Sequence, residues 1–145
     1  MRDLPRQLSI GELAELFEGR TRLVERLAEA DDPLGRPETV IAGLAEPEKI
    51  EALEAHPPIV ARRLSGRSAR EQGEDAEPEV AAELERLNRA YEEKFGFRFV
   101  VFVNRRPRAD LVPILRERLV RTREEELDTA LEELVAIARD RWRQG

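Results

Sequence analysis

The chain has 145 residues and no cysteine, and its 31 acidic against 25 basic side chains give a formal net charge of −6. This length suits a single domain with its own core, and the lack of cysteine excludes disulfides, thiolate nucleophiles and cysteine-bound zinc. The acidic balance argues against a nucleic-acid partner. Because neither a membrane span nor a secretory signal is visible, we expect a cytoplasmic protein with no membrane partner.

The N-terminal third is predicted to form two short helices. Ser9 and Glu12 have the spacing of a capping box, which marks the start of the first helix. Gly19 is a natural stop for that helix. Apolar residues then recur at helical spacing over Arg22 to Ala30, so we predict a second helix there.

Prolines punctuate the next part of the chain. A short helix is predicted after Pro37, and Pro47 suits the first turn of another. That helix must end near His56, because the residue before a proline is disfavoured in the α conformation.

A long helix is predicted over Glu79 to Phe95, and Gly96 ends it. The residues 97–103 that follow have strand propensity. Since the sequence offers no partner strand, we predict an extended or irregular segment inside the core.

Two more helices complete the prediction. Asp110 is the expected cap of a helix that runs to about Arg121. Thr122 and Glu125 form a second capping box, which opens a last helix reaching about Arg143. With neither a repeat nor a linker in sight, we predict one all-α domain over residues 1–145.

His56 is the only histidine, so it is the first candidate for proton transfer near pH 7. It leaves a helix end and enters a stiff Pro57-Pro58 segment, which holds its backbone. A helix end favours the imidazolium, whereas burial opposes it. An ordinary structural histidine remains the alternative.

Ser68, Glu71 and Gln72 lie along one side of a predicted helical turn. The same spacing is that of a capping box, and the chain has such boxes elsewhere. Taken alone, this motif favours a structural role over a functional one.

Arg118 projects from the apolar stripe of its predicted helix, seven residues after Leu111 and four after Ile114. A buried arginine requires a partner. That partner would be a carboxylate such as Glu71 or an anionic ligand held by two hydrogen bonds; the alternative is a side chain that reaches the surface.

The order of these motifs resembles the 2-oxo-4-hydroxy-4-carboxy-5-ureidoimidazoline (OHCU) decarboxylases, which act at the end of the route from uric acid to allantoin. The matching elements are His56-Pro57, Ser68-x-x-Glu71-Gln72, Asn88-x-x-Tyr91 with Phe95-Gly96-Phe97-x-Phe99, and Arg118-Leu119 with Glu126 beyond. The resemblance implies an all-helical fold, a homodimer, and decarboxylation to (S)-allantoin without cofactor or metal.

The resemblance also implies roles for individual residues. His56, Glu71 and Arg118 would be catalytic. The substrate-binding residues would be Pro57, Ser68, Gln72, Phe99 and Val101. Two alternatives stay open: a lyase or binding protein for a different ureido or imidazoline ligand, and a helical interaction module in which His56 and Arg118 are structural.

Overall fold

The computed structural model describes residues 3–58 and 78–145, and within these ranges it contains seven α-helices and no β-strand. The helices are α1 (Ile10–Phe17), α2 (Arg22–Ala28), α3 (Glu38–Ala42), α4 (Glu46–Glu54), α5 (Pro78–Phe95), α6 (Leu111–Leu119) and α7 (Arg123–Gln144). None of these helices is both long enough and apolar enough to cross a bilayer. The all-α prediction is therefore confirmed.

Capping side chains determine where three of the helices begin. Ser9 and Thr122 each accept a hydrogen bond from the backbone N–H of the third residue onward, Glu12 or Glu125. The carboxylates of those two glutamates accept in return from the backbone N–H of the capping residue. Thr21 caps α2 by accepting from a backbone N–H in its first turn at 3.3 Å. Both predicted capping boxes at described positions are thus confirmed.

Four helix ends differ from the sequence-based expectation. The left-handed residue that ends α1 is Glu18 (φ 60°), one position before the predicted stop. Helices α2 and α6 end at Ala28 and Leu119, each about two residues early. Asp110 does not cap α6: its N–H bonds to Pro107 in a 3₁₀ turn, its backbone is already helical, and its side chain makes no capping bond. An N-cap requires an extended backbone, which the turn denies to Asp110.

Residues 97–103 run through the core as an extended segment, as predicted. Five of their side chains are at least nine-tenths buried: Phe97, Phe99, Val100, Val101 and Val103. Side chains supply some of the hydrogen bonds that a partner strand would give. Glu133 accepts from the Phe102 N–H at 3.2 Å, and Arg118 donates to the Val100 carbonyl at 2.7 Å. The segment needs no partner strand because helix side chains bond to its backbone.

The C-terminal helix α7 forms the centre of the core. It packs against α1 and α4, while α5 and α6 form a second close pair. Its buried apolar side chains recur every three or four residues: Leu127, Ala130, Leu131, Leu134, Val135, Ile137 and Ala138. The extended segment contacts the end of α4 through Arg98 and the last turn of α6 through the Val100 carbonyl.

Candidate active site

The backbone around His56 is held by a single arginine. Helix α4 ends at Glu54, and the His56 N–H still bonds to the Leu53 carbonyl at 3.1 Å. Arg98, from the extended segment, donates through Nη1 to the carbonyls of Glu54 at 2.8 Å and His56 at 2.6 Å. Two orphan carbonyls of the helix end are thereby satisfied. These bonds therefore fix the backbone of His56 directly before Pro57.

The imidazole of His56 is buried, with only 6% of the residue exposed. Burial, followed by the positive charges of Arg141 and Arg98, lowers the pKa of His56 to about 3. Burial thus overcomes the helix-end effect that favours the imidazolium, and the ring is neutral at pH 7. Its Nδ1 atom is buried and has no hydrogen-bond partner in the part of the chain that the structure describes.

The low pKa of His56 predicts a pH-dependent stability. An unfolded chain would protonate His56 near pH 6.5, whereas the folded protein does so only near pH 3. Between these values the unfolded state binds more protons than the folded state. The contribution of His56 to the free energy of unfolding is therefore fully present above pH 6.5 and is lost as the pH falls towards 3. Each pH unit costs at most about 1.4 kcal/mol.

We expect urea unfolding to show this loss between pH 6.5 and 4, and the His56→Asn variant to lose less over the same interval. The same slope of unfolding free energy against pH in both proteins would show that His56 is not held neutral by the fold.

Arg118 is 5% exposed, and its guanidinium contacts both a carboxylate and a backbone carbonyl. Nε donates to Glu126 Oε1 at 2.7 Å, and Nη1 donates to the Val100 carbonyl at 2.7 Å. Of the alternatives left open by the sequence, the side chain of Arg118 is thus buried and does not reach the surface. Among the described residues, the carboxylate that pairs with Arg118 is that of Glu126, which lies eight residues later at the start of α7.

Aromatic rings flank the same guanidinium. Its carbon atom lies 4.7 Å from the ring centroid of Phe99 and 5.8 Å from that of Tyr91. Nη2 is buried and has no hydrogen-bond partner within residues 3–58 and 78–145. The guanidinium therefore has two nitrogens engaged by the protein and a third that could donate to a ligand.

The extended segment connects the two candidates. Arg98 bonds to the carbonyl of His56, and the Val100 carbonyl accepts from Arg118, so both are attached within residues 98–100. Phe99 lies between these two points and is 1% exposed. The structure thus links His56 and Arg118 to neighbouring residues of one buried segment.

The other predicted site residues fall into two groups. Pro57 is half-buried beside His56, and Val101 is buried in the extended segment. Ser68, Glu71 and Gln72 lie outside the described residues. Their proposed contacts with His56 and the substrate stay predictions.

Sequence reasoning missed two arginines near His56. Arg98 stands between Phe97 and Phe99, and a charge inside an apolar segment is itself a signal of a specific role. Arg141 is 3% exposed on the apolar stripe of α7, and its Nη2 pairs with Glu18 at 2.5 Å. The stripe pattern that singled out Arg118 also applies to Arg141.

Within the described ranges, no cluster of three or more histidine, cysteine, aspartate or glutamate side chains is arranged to hold a metal ion. Five buried side-chain atoms lack a hydrogen-bond partner in the described residues: four nitrogens, which are His56 Nδ1, Arg118 Nη2 and the Nε atoms of Arg98 and Arg108, and the oxygen Asn88 Oδ1. Nitrogen donors of this kind suit an anionic or carbonyl-rich organic molecule.

A family model described as OHCU decarboxylase matches residues 2–143, nearly the whole chain. The protein is thus an all-helical carboxy-lyase. It belongs to the OHCU decarboxylase family, and the predicted function in urate degradation is confirmed at this level.

Two solved structures share the fold. A crystal structure of OHCU decarboxylase in the presence of (S)-allantoin matches with a TM-score of 0.74 and 20% identity, covering 90% of this chain and 94% of that chain. A crystal structure of (S)-allantoin synthase matches with a TM-score of 0.70 and 20% identity, covering 91% of this chain and 47% of that one. At this identity the likeness establishes the architecture.

Proposed function

We propose that this protein converts OHCU to (S)-allantoin and carbon dioxide, with His56 as the proton carrier and Arg118 as the group that binds the substrate anion. The match of the family model over residues 2–143 carries this proposal. Its support within the fold comes from two of the buried side-chain atoms that have no hydrogen-bond partner in the described residues, His56 Nδ1 and Arg118 Nη2.

The chemistry needs no electron sink beyond the substrate. The bond to the carboxylate breaks, and its electron pair forms a double bond to the neighbouring ureido-bearing carbon. The π electrons of the adjacent C=N bond move to the ring nitrogen, which becomes negatively charged. This nitrogen finally takes up a proton from solvent. The carbinol hydroxyl then loses its proton to become a carbonyl, and the ureido-bearing carbon gains one. The enzyme must orient the carboxylate, stabilise the new charge and control the face of protonation.

His56 suits the proton step because its ring is neutral in the free protein. A neutral imidazole can take the hydroxyl proton and deliver it to the ureido-bearing carbon from one side, returning to its starting state. The substrate carboxylate would raise the pKa of His56 from about 3 towards the working range, since a nearby negative charge favours the imidazolium. Delivery from one fixed side would set the (S) configuration of allantoin.

Arg118 suits the charge that develops. Its Nη2, which has no partner among residues 3–58 and 78–145, would donate to a carboxylate or ring oxygen inside a buried site, where such a hydrogen bond is stronger than in water. Pro57, Phe99 and Val101 would form the apolar and backbone lining beside it. Ser68 and Gln72 would bind the ureido and ring amides, and Glu71 would hold and polarise His56.

We further propose that residues 1–145 form one domain, and that the protein acts as a cytoplasmic homodimer that binds a small molecule rather than nucleic acid. Sedimentation equilibrium would test the dimer, and cell fractionation would test the location.

The decisive assay uses freshly generated OHCU and follows allantoin by circular dichroism, because spontaneous decay gives a racemate. Production of (S)-allantoin above the spontaneous rate supports the proposal. Thermal stabilisation by allantoin without turnover would instead identify a binding protein. If allantoin does not stabilise the protein and the protein does not turn over OHCU, a helical interaction module is favoured.

Replacing Arg118 with lysine should lower kcat/KM by roughly ten- to hundredfold. Lysine keeps the charge, but its single nitrogen cannot engage Glu126, the Val100 carbonyl and a ligand in the fixed geometry of the guanidinium. Steady-state kinetics, corrected for folded fraction, measure the effect. Near-wild-type activity of Arg118→Lys would reduce Arg118 to a simple positive charge.

A further inference from the structure

Glu126 is the most deeply buried acidic side chain in the described residues, with 0% exposure. Its Oε1 atom accepts from Arg118 Nε and from the Tyr91 hydroxyl, both at 2.7 Å. Its Oε2 atom accepts from Arg121 Nη1 at 2.7 Å. One carboxylate therefore collects three hydrogen bonds from two different helices and the turn after α6.

These contacts fix the orientation of Arg118 as well as its charge. The Nε–Glu126 and Nη1–Val100 bonds define the plane of the guanidinium, and the ring of Phe99 covers it at 4.7 Å. Burial raises the pKa of the Tyr91 phenol, which stays protonated and serves as a donor to Glu126. Because two of its nitrogens are held in this way, the plane of the guanidinium is fixed, and the N–H bonds of Nη2 point in a fixed direction.

We infer that Glu126, supported by Tyr91, is a positioning residue that aims Arg118 Nη2 at the reacting part of the substrate. The inference rests on the proposed function, in which Arg118 binds the substrate anion. Its physical basis is preorganisation: a donor held in place before the charge develops needs no reorientation during the reaction.

The first test compares two deletions of a buried hydroxyl. Tyr91→Phe removes one donor to Glu126, whereas Thr21→Val removes the cap of α2, outside the proposed site. We expect both variants to melt at lower temperature. Only Tyr91→Phe should lower kcat, by roughly three- to tenfold, with KM within about twofold, because the loss falls on the transition state.

The second test is chemical rescue. Arg118→Ala should lose most activity and regain part of it with added ethylguanidinium, which Glu126 can hold in the vacated space. In Arg118→Ala combined with Glu126→Gln, rescue should fall at least roughly tenfold, since the neutral amide is a weaker acceptor.

The outcomes distinguish the two proposals. If wild-type protein does not turn over OHCU, or if Arg118→Ala is fully active, the proposed function of Arg118 is wrong. If Arg118→Ala is inactive but rescue is equal with and without Glu126, or if Tyr91→Phe and Thr21→Val have the same kcat as wild type, the positioning role is overturned while the function stands.

Discussion

Replacing His56 with asparagine is expected to lower the enzymatic rate of decarboxylation by roughly 10²–10⁴-fold. The chain has no second histidine to take over the proton. Asparagine retains polarity and much of the volume of a neutral imidazole, so the fold should persist. The measurement is the initial rate above spontaneous decay, together with the enantiomeric excess of the allantoin.

The stereochemical readout gives this experiment its control. If His56 delivers the proton from one side, residual product in the His56→Asn variant should approach the racemate of the spontaneous reaction. Retention of more than roughly a tenth of wild-type activity, or an unchanged excess of (S)-allantoin, would mean that another group carries the proton.

Replacing Glu126 with leucine is expected to destabilise the protein by about 3–5 kcal/mol. The change leaves the guanidinium of Arg118, which is 5% exposed, without its carboxylate, and it leaves the Tyr91 hydroxyl without an acceptor. An uncompensated charge in a low-dielectric core costs far more than a lost surface pair. Urea unfolding at pH 7 measures the difference in unfolding free energy.

Two further variants complete this comparison. Asp31→Asn breaks an exposed ion pair, in which the side chain of Asp31 is 61% exposed and that of Arg6 is 80% exposed. This change should lower the unfolding free energy by less than about 1 kcal/mol. Arg118→Met combined with Glu126→Leu should recover more than half of the loss, since an apolar pair can replace a buried ion pair. Equal stability of Glu126→Leu and wild type would indicate that Arg118 reaches water or another carboxylate.

The capping and periodic signals anticipated most of the helices because both act over a few residues. Ser9 and Thr122 mark the starts of α1 and α7, and the apolar spacing over Glu79 to Phe95 predicted α5 almost completely. Asp110 was wrong as a cap because a preceding 3₁₀ turn, which propensity does not reveal, had already made its backbone helical.

The candidate site was only partly predictable. His56 stands out by being unique, and Arg118 by its place on an apolar stripe, and both are properties of the sequence alone. The functions of Arg98 and Glu126 depend on contacts 42 and 8 residues away along the chain. No local pattern specifies such pairs. Sequence spacing indicated that Arg118 needs a partner but did not identify Glu126.

By itself the sequence determined the helical class and the family, and it singled out His56, the only histidine, as the candidate proton carrier. The tertiary structure alone decided the electrostatics of that residue. Burial and the charges of Arg141 and Arg98 hold His56 neutral, although its helix-end position favours the opposite state. A pKa depends on the solvent and charges that surround a group in three dimensions, and these come from α7 and the extended segment rather than from neighbours in the chain.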